Sequence, residues 1–143
     1  MKVLLAEDDL LIGDALEEVL VRAGFDVCGV ARTVAEAVDL AEHHDPELAV
    51  LDVRLADGGF GTQIAAHLPK AHRIGILYAT GTADHPSLAN AFGDALISKP
   101  YQPLDIVRAL YIVRQIVVGD VPSLPFPDGF ALLRRELRPS AAA

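Results

Sequence analysis

Five residues of this 143-residue chain carry chemical groups that could act together, although they lie far apart in sequence. Glu7 and Asp8 are adjacent acids that follow a short apolar run, and Asp52 closes a second apolar run. Thr80 and Lys99 each follow a further apolar run. Clustered carboxylates repel one another unless a cation relieves them, and hard oxygen ligands suit Mg²⁺. A lysine ammonium and a hydroxyl beside that cation could stabilise a phosphoryl group carried by a carboxylate.

Short apolar runs of β type alternate along the chain with segments of helical period, which predicts a parallel sheet covered by helices on both faces. Strands are predicted over residues 3–6, 27–30, 48–52, 73–78 and 95–98. Helices are predicted over 10–23, 33–43, 62–68, 86–92 (a weak pattern) and 103–118. Ligands of open α/β sheets bind beyond the carboxyl ends of the strands. The five residues follow strand ends and are therefore expected to meet at one edge of the sheet.

Composition and charge exclude several classes of function. The chain is 52% hydrophobic and its length is that of one ordinary domain. Its net charge of -8 comes with no Lys/Arg-rich run, which argues against a nucleic-acid partner. No apolar stretch approaches the roughly 20 residues of a membrane span. The expectation is a cytoplasmic protein without a membrane segment.

The composition changes at residue 119, where prolines begin to recur among small residues. The predicted organisation is one domain over residues 1–118 and a Pro-rich tail over 119–143, with a short helix candidate at 130–137. The last helix of the domain carries more apolar residues than one stripe accommodates. Either the tail covers the extra stripe or a homodimer does, and both alternatives stay open. The tail residues concerned are Phe126, Phe130, Leu133 and Leu137.

Four short motifs stand in a fixed order along the chain. They are Glu7-Asp8, Asp52, Thr80-Gly81 and Lys99-Pro100. Together they resemble the receiver domain of two-component response regulators, over residues 1 to about 118. The resemblance implies an α/β flavodoxin-like fold with a doubly wound, five-stranded parallel sheet in the order 2-1-3-4-5. Residues 78–81 also resemble a receiver subgroup with a Phe-Ala-Thr-Gly signature.

The resemblance assigns a role to each residue at the sheet edge. It implies that Asp52 is the phosphoacceptor, that Asp8 binds Mg²⁺ directly and that Glu7 acts through a water molecule. A backbone carbonyl of Arg54 would complete the protein's ligands. The implied partners are a histidine kinase or a histidine phosphotransfer protein as phosphodonor, and a downstream protein target.

The resemblance also implies that Thr80 and Lys99 contact the phosphoryl group. At another position the chain departs from the family pattern. Leu96 stands where many receivers have the Tyr or Phe whose rotation reports phosphorylation. The Pro-rich tail that follows the receiver-like part is not expected to be an effector domain. The expectation is therefore a stand-alone regulator that signals through protein contacts without an aromatic switch at that position.

Four other interpretations use the same residues. A small Asp-dependent phosphatase would need an acid two residues after its nucleophile, where this chain has Arg54. A flavin-binding module would need a phosphate loop after the first strand, where Glu7-Asp8-Asp9 would repel phosphate. These acids could also be a solvated helix N-terminus, although the matching residues at other strand ends argue against it. A degenerate receiver that binds partners without phosphorylation stays open.

Overall fold

A computed structural model describes residues 1–68, 73–81, 86, 88 and 91–133 of the chain. The strands are β1 (Lys2–Ala6), β2 (Asp26–Ala31), β3 (Leu48–Asp52), β4 (Gly75–Thr80), β5 (Ala95–Ser98) and β6 (Phe130–Leu132). The helices are α1 (Leu10–Arg22), α2 (Val34–His44), α3 (Gly61–His67) and α4 (Pro103–Val117). They build one six-stranded sheet in the order β2-β1-β3-β4-β5-β6. The first five strands are parallel, and β6 is antiparallel to β5.

The central strands are apolar without interruption because both of their faces are covered. All five residues of β3 are buried, as expected of a parallel strand between two helical layers. Leu4 and Leu51 face the core under α2 and α3. Leu5 and Val50 face the core under α1 and α4. The sheet is therefore doubly wound, and the flavodoxin-like fold with the strand order 2-1-3-4-5 is confirmed.

Local sequence signals fix where the first two helices begin. The side chain of Asp9 accepts the amides of Leu11 and Ile12 and so caps α1. The hydroxyl of Thr33 accepts the amide of Glu36 at 3.1 Å and caps α2. The carboxylate of Glu36 reaches one residue further than a standard capping box, because it accepts the amide of Arg32 at 2.9 Å.

The tail adds a sixth strand that the sequence reasoning missed. A helix was predicted over residues 130–137, and this prediction is wrong for residues 130–132, which form β6. Residues 134–137 of the predicted helix lie outside the described residues. An extended chain forms here because successive side chains of a strand face opposite sides of the sheet. Phe130 packs on the core under α4, and Leu133, an odd number of residues later, packs on the opposite core. The amide of Leu133 also donates to the carbonyl of Asp94 at 2.9 Å. An unpaired β5 edge is thereby closed.

The tail also contacts the last helix. The guanidinium of Arg108 donates to the carbonyl of Pro125 at 3.1 Å, and Gln115 and Ser123 exchange two hydrogen bonds. With Phe130 packed beside the α4 core, the tail covers part of the extra apolar stripe. Leu104 of α4 stays 66% exposed, and a homodimer through this helix remains a prediction.

Two further expectations concern the segments after α3 and β4. The fourth strand begins at Gly75, two residues later than predicted, and extends to Thr80, so that Thr80 belongs to the strand. The weak helix predicted over residues 86–92 lies partly outside the described residues, which omit 87, 89 and 90. Within the described part of the chain, no helix combines the length and the apolar character that a membrane crossing requires.

A buried ion pair joins the start of β4, the start of β5 and the end of α4. Asp94 is 1% exposed, and its carboxylate accepts the amide of Ile76 at 2.8 Å and the guanidinium of Arg73 at 2.6 Å. Arg73 also donates to the carbonyls of Ile116 and Val117 at the end of α4. Both carbonyls belong to the last turn of α4, where acceptors lack intrahelical partners, and the carbonyl of Ile116 also accepts the amide of Gly119 at 3.1 Å. One ion pair thus holds three elements in place.

Replacing this buried acid should destabilise the protein. Asp94→Asn keeps the size of the side chain but leaves Arg73 without its counter-charge. We expect the free energy of unfolding to fall by about 2 to 3 kcal/mol, less than the roughly 3 to 5 kcal/mol of a fully buried broken pair, because Arg73 keeps access to solvent. Urea denaturation measures it, with the exposed Asp14→Asn as control. Equal stability of the two variants would contradict the structural role of Asp94.

Candidate functional site

The polar residues singled out by type and position meet at the carboxyl edge of the sheet. Glu7 and Asp8 follow β1, Asp52 ends β3, Thr80 ends β4 and Lys99 follows β5. Because β1, β3, β4 and β5 are neighbours with matched registers, these strand ends lie side by side. Residues separated by up to 92 positions in sequence therefore share one site.

Three carboxylates form the centre of the site. Glu7, Asp8 and Asp52 each offer an oxygen, and these oxygens lie within 4.8 Å of one another. Glu7 is 4% exposed and Asp52 is 6% exposed, whereas Asp8 is only half-buried. Carboxylates this close and this dry cannot all carry an uncompensated charge.

Lys99 provides positive charge beside the acids. Its Nζ donates to Oδ2 of Asp52 at 2.9 Å and lies 3.8 Å from Oε1 of Glu7. Burial by itself lowers the pKa of Lys99, but the hydrogen bond to Asp52 and the charges of Asp52, Glu7 and Asp8 outweigh it and raise that pKa. Lys99 therefore keeps its positive charge at neutral pH.

Glu7 responds to the crowding by holding a proton. Burial, then its hydrogen bond with Asp52 and the charge of Asp52, raise the pKa of Glu7 to about 8, although the charge of Lys99 and the amide of Asp9 act in the opposite direction. At neutral pH the cation-free site thus relieves its repulsion with a proton held on Glu7, which is hydrogen-bonded to Asp52.

The hydroxyl of Thr80 is placed at the site but bonded away from Asp52. The residue is fully buried, and its Oγ1 donates to the carbonyl of Gly81 at 2.9 Å. The carbonyl of Thr80 accepts the amide of Lys99 at 2.9 Å, so the backbones of these two residues are joined. A rotation of one side-chain torsion would free the hydroxyl for a group on Asp52.

Gly61, at the start of α3, is a site residue that the sequence reasoning did not single out. A Cβ at this position would collide with the carbonyl oxygen of Asp52. The amide of Gly61 donates to the carbonyl of Val53 at 2.9 Å. The glycine lets α3 begin directly against the end of β3. The sequence offered only a glycine nine residues after the acid, which is too common a pattern to be recognised.

The loop after Asp52 carries the remaining predicted residue. Arg54 is exposed and pairs with Phe60 in an isolated antiparallel bridge. The amide of Leu55 donates to the carbonyl of Gly59 at 2.9 Å, which closes the turn without a proline. That the carbonyl of Arg54 binds a cation stays a prediction.

The donor set fits Mg²⁺. It consists of three hard carboxylate oxygens within ligand-forming reach of one another, two of them from buried residues. Lys99 is the only cationic side chain that forms an ion pair with these acids among the described residues. A hard divalent cation would relieve the repulsion that the proton on Glu7 now relieves.

Comparisons with known proteins agree with this site. Residues 3–111 match the family model of the response regulator receiver domain. The chain is 35% identical over 112 residues to the phyllosphere-induced regulator PhyR of Methylorubrum extorquens, covering 73% of this chain and 40% of that protein. It is 34% identical over 113 residues to the transcriptional regulatory protein PdtaR of Mycobacterium tuberculosis, covering 76% of this chain and 54% of that one. This chain thus spans about half the length of these relatives.

A solved structure supports the same assignment. The CheY-like response regulator receiver domain protein of Methanospirillum hungatei superposes with a TM-score of 0.65 at 28% identity, covering 77% of this chain and 90% of that chain.

The raised pKa of Glu7 makes the stability of the metal-free protein depend on pH. The folded-state pKa of about 8 lies above the ordinary 4.5, so the stabilisation is complete below the ordinary value and is lost as pH rises through about 8. We expect the urea midpoint in chelator to fall between pH 6 and pH 9. Glu7→Gln should abolish most of this fall, and the exposed Glu18→Gln should not. An unchanged pH dependence in Glu7→Gln would show that Glu7 is not the group responsible.

Proposed function

The chain belongs to the response regulator receiver domain family, and from this premise we propose that Asp52 accepts a phosphoryl group in a Mg²⁺-dependent transfer. The phosphodonor is a histidine kinase or a histidine phosphotransfer protein. The observation that carries the proposal is the buried carboxylate of Asp52, with two further acids within 4.8 Å and an ammonium at 2.9 Å. Mg²⁺ and phosphorylation are typical of this family.

Asp52 is the nucleophile of the proposed transfer. One of its carboxylate oxygens forms the new bond to phosphorus while the bond from phosphorus to the donor's histidine nitrogen breaks, and that nitrogen keeps the electron pair. Glu7, Asp8 and Asp52 would hold the Mg²⁺, with the carbonyl of Arg54 as a further ligand. When bound, Mg²⁺ supplies positive charge that offsets the negative charge of the transferred oxygens.

Lys99 and Thr80 act on the group once it is carried by Asp52. The ammonium that now bonds Oδ2 of Asp52 turns to a phosphoryl oxygen and compensates its charge. The hydroxyl of Thr80 leaves the carbonyl of Gly81 and donates to the phosphoryl group. Because the backbones of Thr80 and Lys99 are hydrogen-bonded to each other, this change moves the ends of β4 and β5 together.

The structure favours this function over the alternatives. A phosphatase would need a general acid two residues after Asp52, and Arg54 at that position is exposed and basic. A degenerate receiver would gain nothing from burying the carboxylates of Glu7 and Asp52 beside each other, which costs free energy. The clustered site therefore supports an active phosphoacceptor, whose only chemistry is on its own Asp52.

The proposed output is a protein contact in the cytoplasm. The net charge of -8 opposes the phosphate backbone of DNA. Leu96 is buried at 7% exposure between Tyr78 and Ala131 in the sheet, and it has no hydroxyl to exchange between two states. The signal is therefore proposed to leave through the ends of β4 and β5, toward a downstream protein.

Asp52→Asn should abolish phosphorylation, because an amide oxygen is a poor nucleophile toward phosphorus. With Mg²⁺ and acetyl phosphate, we expect the parent protein to gain the mass of one phosphoryl group. Intact-mass spectrometry measures it. Asp57→Asn is the matched control, since Asp57 is an exposed acid five residues away whose side chain caps the amide of Gly59. Equal uptake by Asp52→Asn and the parent would rule out Asp52 as the acceptor.

Removing the carboxylate of Asp8 should abolish phosphoryl uptake without lowering the stability of the metal-free protein. Asp8→Ala deletes the least buried acid of the cluster, so repulsion in the metal-free site decreases. We expect phosphoryl uptake to be lost while the metal-free melting temperature stays equal to or above that of the parent. Mass spectrometry and differential scanning calorimetry give the two readings. A lower melting temperature would mean that Asp8 serves the fold instead.

A further inference from the structure

The hydroxyl of Tyr101 is buried, and no hydrogen-bond partner for it exists among the described residues. Tyr101 stands two residues after Lys99, in the loop from β5 to α4. Its ring packs against the core under α1 and α4. With Lys99 it lines a cavity of about 520 Å³ against Leu11, Ile12 and Ala15 of α1. The hydroxyl of Tyr101 has no part in the phosphoryl transfer proposed above.

Two carboxylates of the site act on the same hydroxyl. Burial, and after it the charges of Glu7 and Asp52, raise the pKa of Tyr101 above its usual value. The phenol therefore keeps its proton at neutral pH and can donate a hydrogen bond. The charges of two acceptors thus act on a buried donor that is bonded to neither.

An unpaired buried hydroxyl is a cost to the fold. Its loss of water is not compensated, and the free energy lost is comparable to that of a hydrogen bond. A phenylalanine ring would fill most of the same space without a polar atom to desolvate. A hydrogen-bond partner that forms only in another state of the site, such as the cation-loaded one, would explain why the buried hydroxyl of Tyr101 is present.

Glu7 is the acceptor best placed to become that partner. In the metal-free site its Oε2 accepts the amide of Asp9 at 3.3 Å, and its Oε1 lies 3.8 Å from Nζ of Lys99. Both of these contacts are long. The carboxyl of Glu7 also forms a hydrogen bond with Asp52, and a cation held between the two acids would replace that bond, so the carboxylate can then turn. Asp52 differs, because its Oδ2 is held by Lys99 at 2.9 Å.

We propose that Tyr101 is a positioning residue for the cation site: in the cation-loaded protein its hydroxyl donates a hydrogen bond to the carboxylate of Glu7, directly or through one water molecule. This rests on the proposed function, in which Glu7, Asp8 and Asp52 hold Mg²⁺. The bond fixes the carboxylate in the orientation that faces the cation. Groups that orient metal ligands in this way commonly change metal affinity about tenfold or more when removed.

The test compares Mg²⁺ binding in four proteins: the parent, Tyr101→Phe, Glu7→Gln and the double variant. Isothermal titration calorimetry on unphosphorylated protein gives the dissociation constant for Mg²⁺ alone. We expect Tyr101→Phe to raise it about tenfold in the parent background and to leave it unchanged in the Glu7→Gln background. The metal-free melting temperature of Tyr101→Phe should equal or exceed that of the parent, because the unpaired hydroxyl is gone.

Tyr111→Phe is the matched control. Tyr111 lies on α4, is partly exposed, and donates only a long 3.4 Å hydrogen bond to the carbonyl of Ala23. Its Mg²⁺ affinity should equal that of the parent. Equal affinity of Tyr101→Phe and the parent, or the same loss in both Glu7 backgrounds, would overturn the role of Tyr101. A parent that binds Mg²⁺ but takes up no phosphoryl group would contradict the proposed function and leave the result on Tyr101 standing.

Discussion

Repulsion among the carboxylates of Glu7, Asp8 and Asp52 is the constraint on which the remainder of the site depends. Their oxygens lie within 4.8 Å of one another, and Lys99 contributes a single positive charge. A proton on Glu7 relieves the excess charge in the metal-free protein, which is why the pKa of Glu7 rises to about 8. The same excess charge makes the site a receptor for a divalent cation, since Mg²⁺ replaces the proton and compensates more charge.

The hydrogen-bond donors around two buried acids, Asp94 and Asp52, distinguish a structural role from a chemical one. Asp94 has a backbone amide and a guanidinium as donors, both at less than 3 Å, and this network ties β4, β5 and α4 together. Among the described residues, Asp52 has Lys99 as a charged donor at 2.9 Å and a hydrogen bond with Glu7, a group that a cation would draw away. Its carboxylate therefore keeps acceptor capacity that a ligand or a phosphoryl group can use. The rigid sheet provides the position, and the incomplete bonding of Asp52 provides the reactivity.

Much of the fold could be predicted from the sequence because its signals are local. The strand β1 is an apolar run followed by acids, β3 is one that ends in an acid, and Thr33 with Glu36 marks the start of α2. The convergence of the acids, Thr80 and Lys99 followed from parallel strand order, since that order brings strand ends to one edge.

The remainder depended on tertiary contacts that leave no local signal. Three residues of β6 are too few to show a period, and the open edge of β5 decides their conformation. The absence of a Cβ at Gly61 matters only once α3 packs against Asp52. The unpaired hydroxyl of Tyr101 is likewise a property of the packed loop, because a tyrosine after Lys99-Pro100 could equally point to solvent.

The most direct measurement of the central claim locates the phosphoryl group on the chain. Borohydride reduction converts an aspartyl phosphate to homoserine, and peptide mass spectrometry identifies the residue converted. After reaction with acetyl phosphate and Mg²⁺, the account predicts homoserine at position 52 and parent aspartate at Asp8 and Asp57. Reaction in chelator should leave all three unchanged. Homoserine at another position, or conversion of Asp52 that does not require Mg²⁺, would contradict the account.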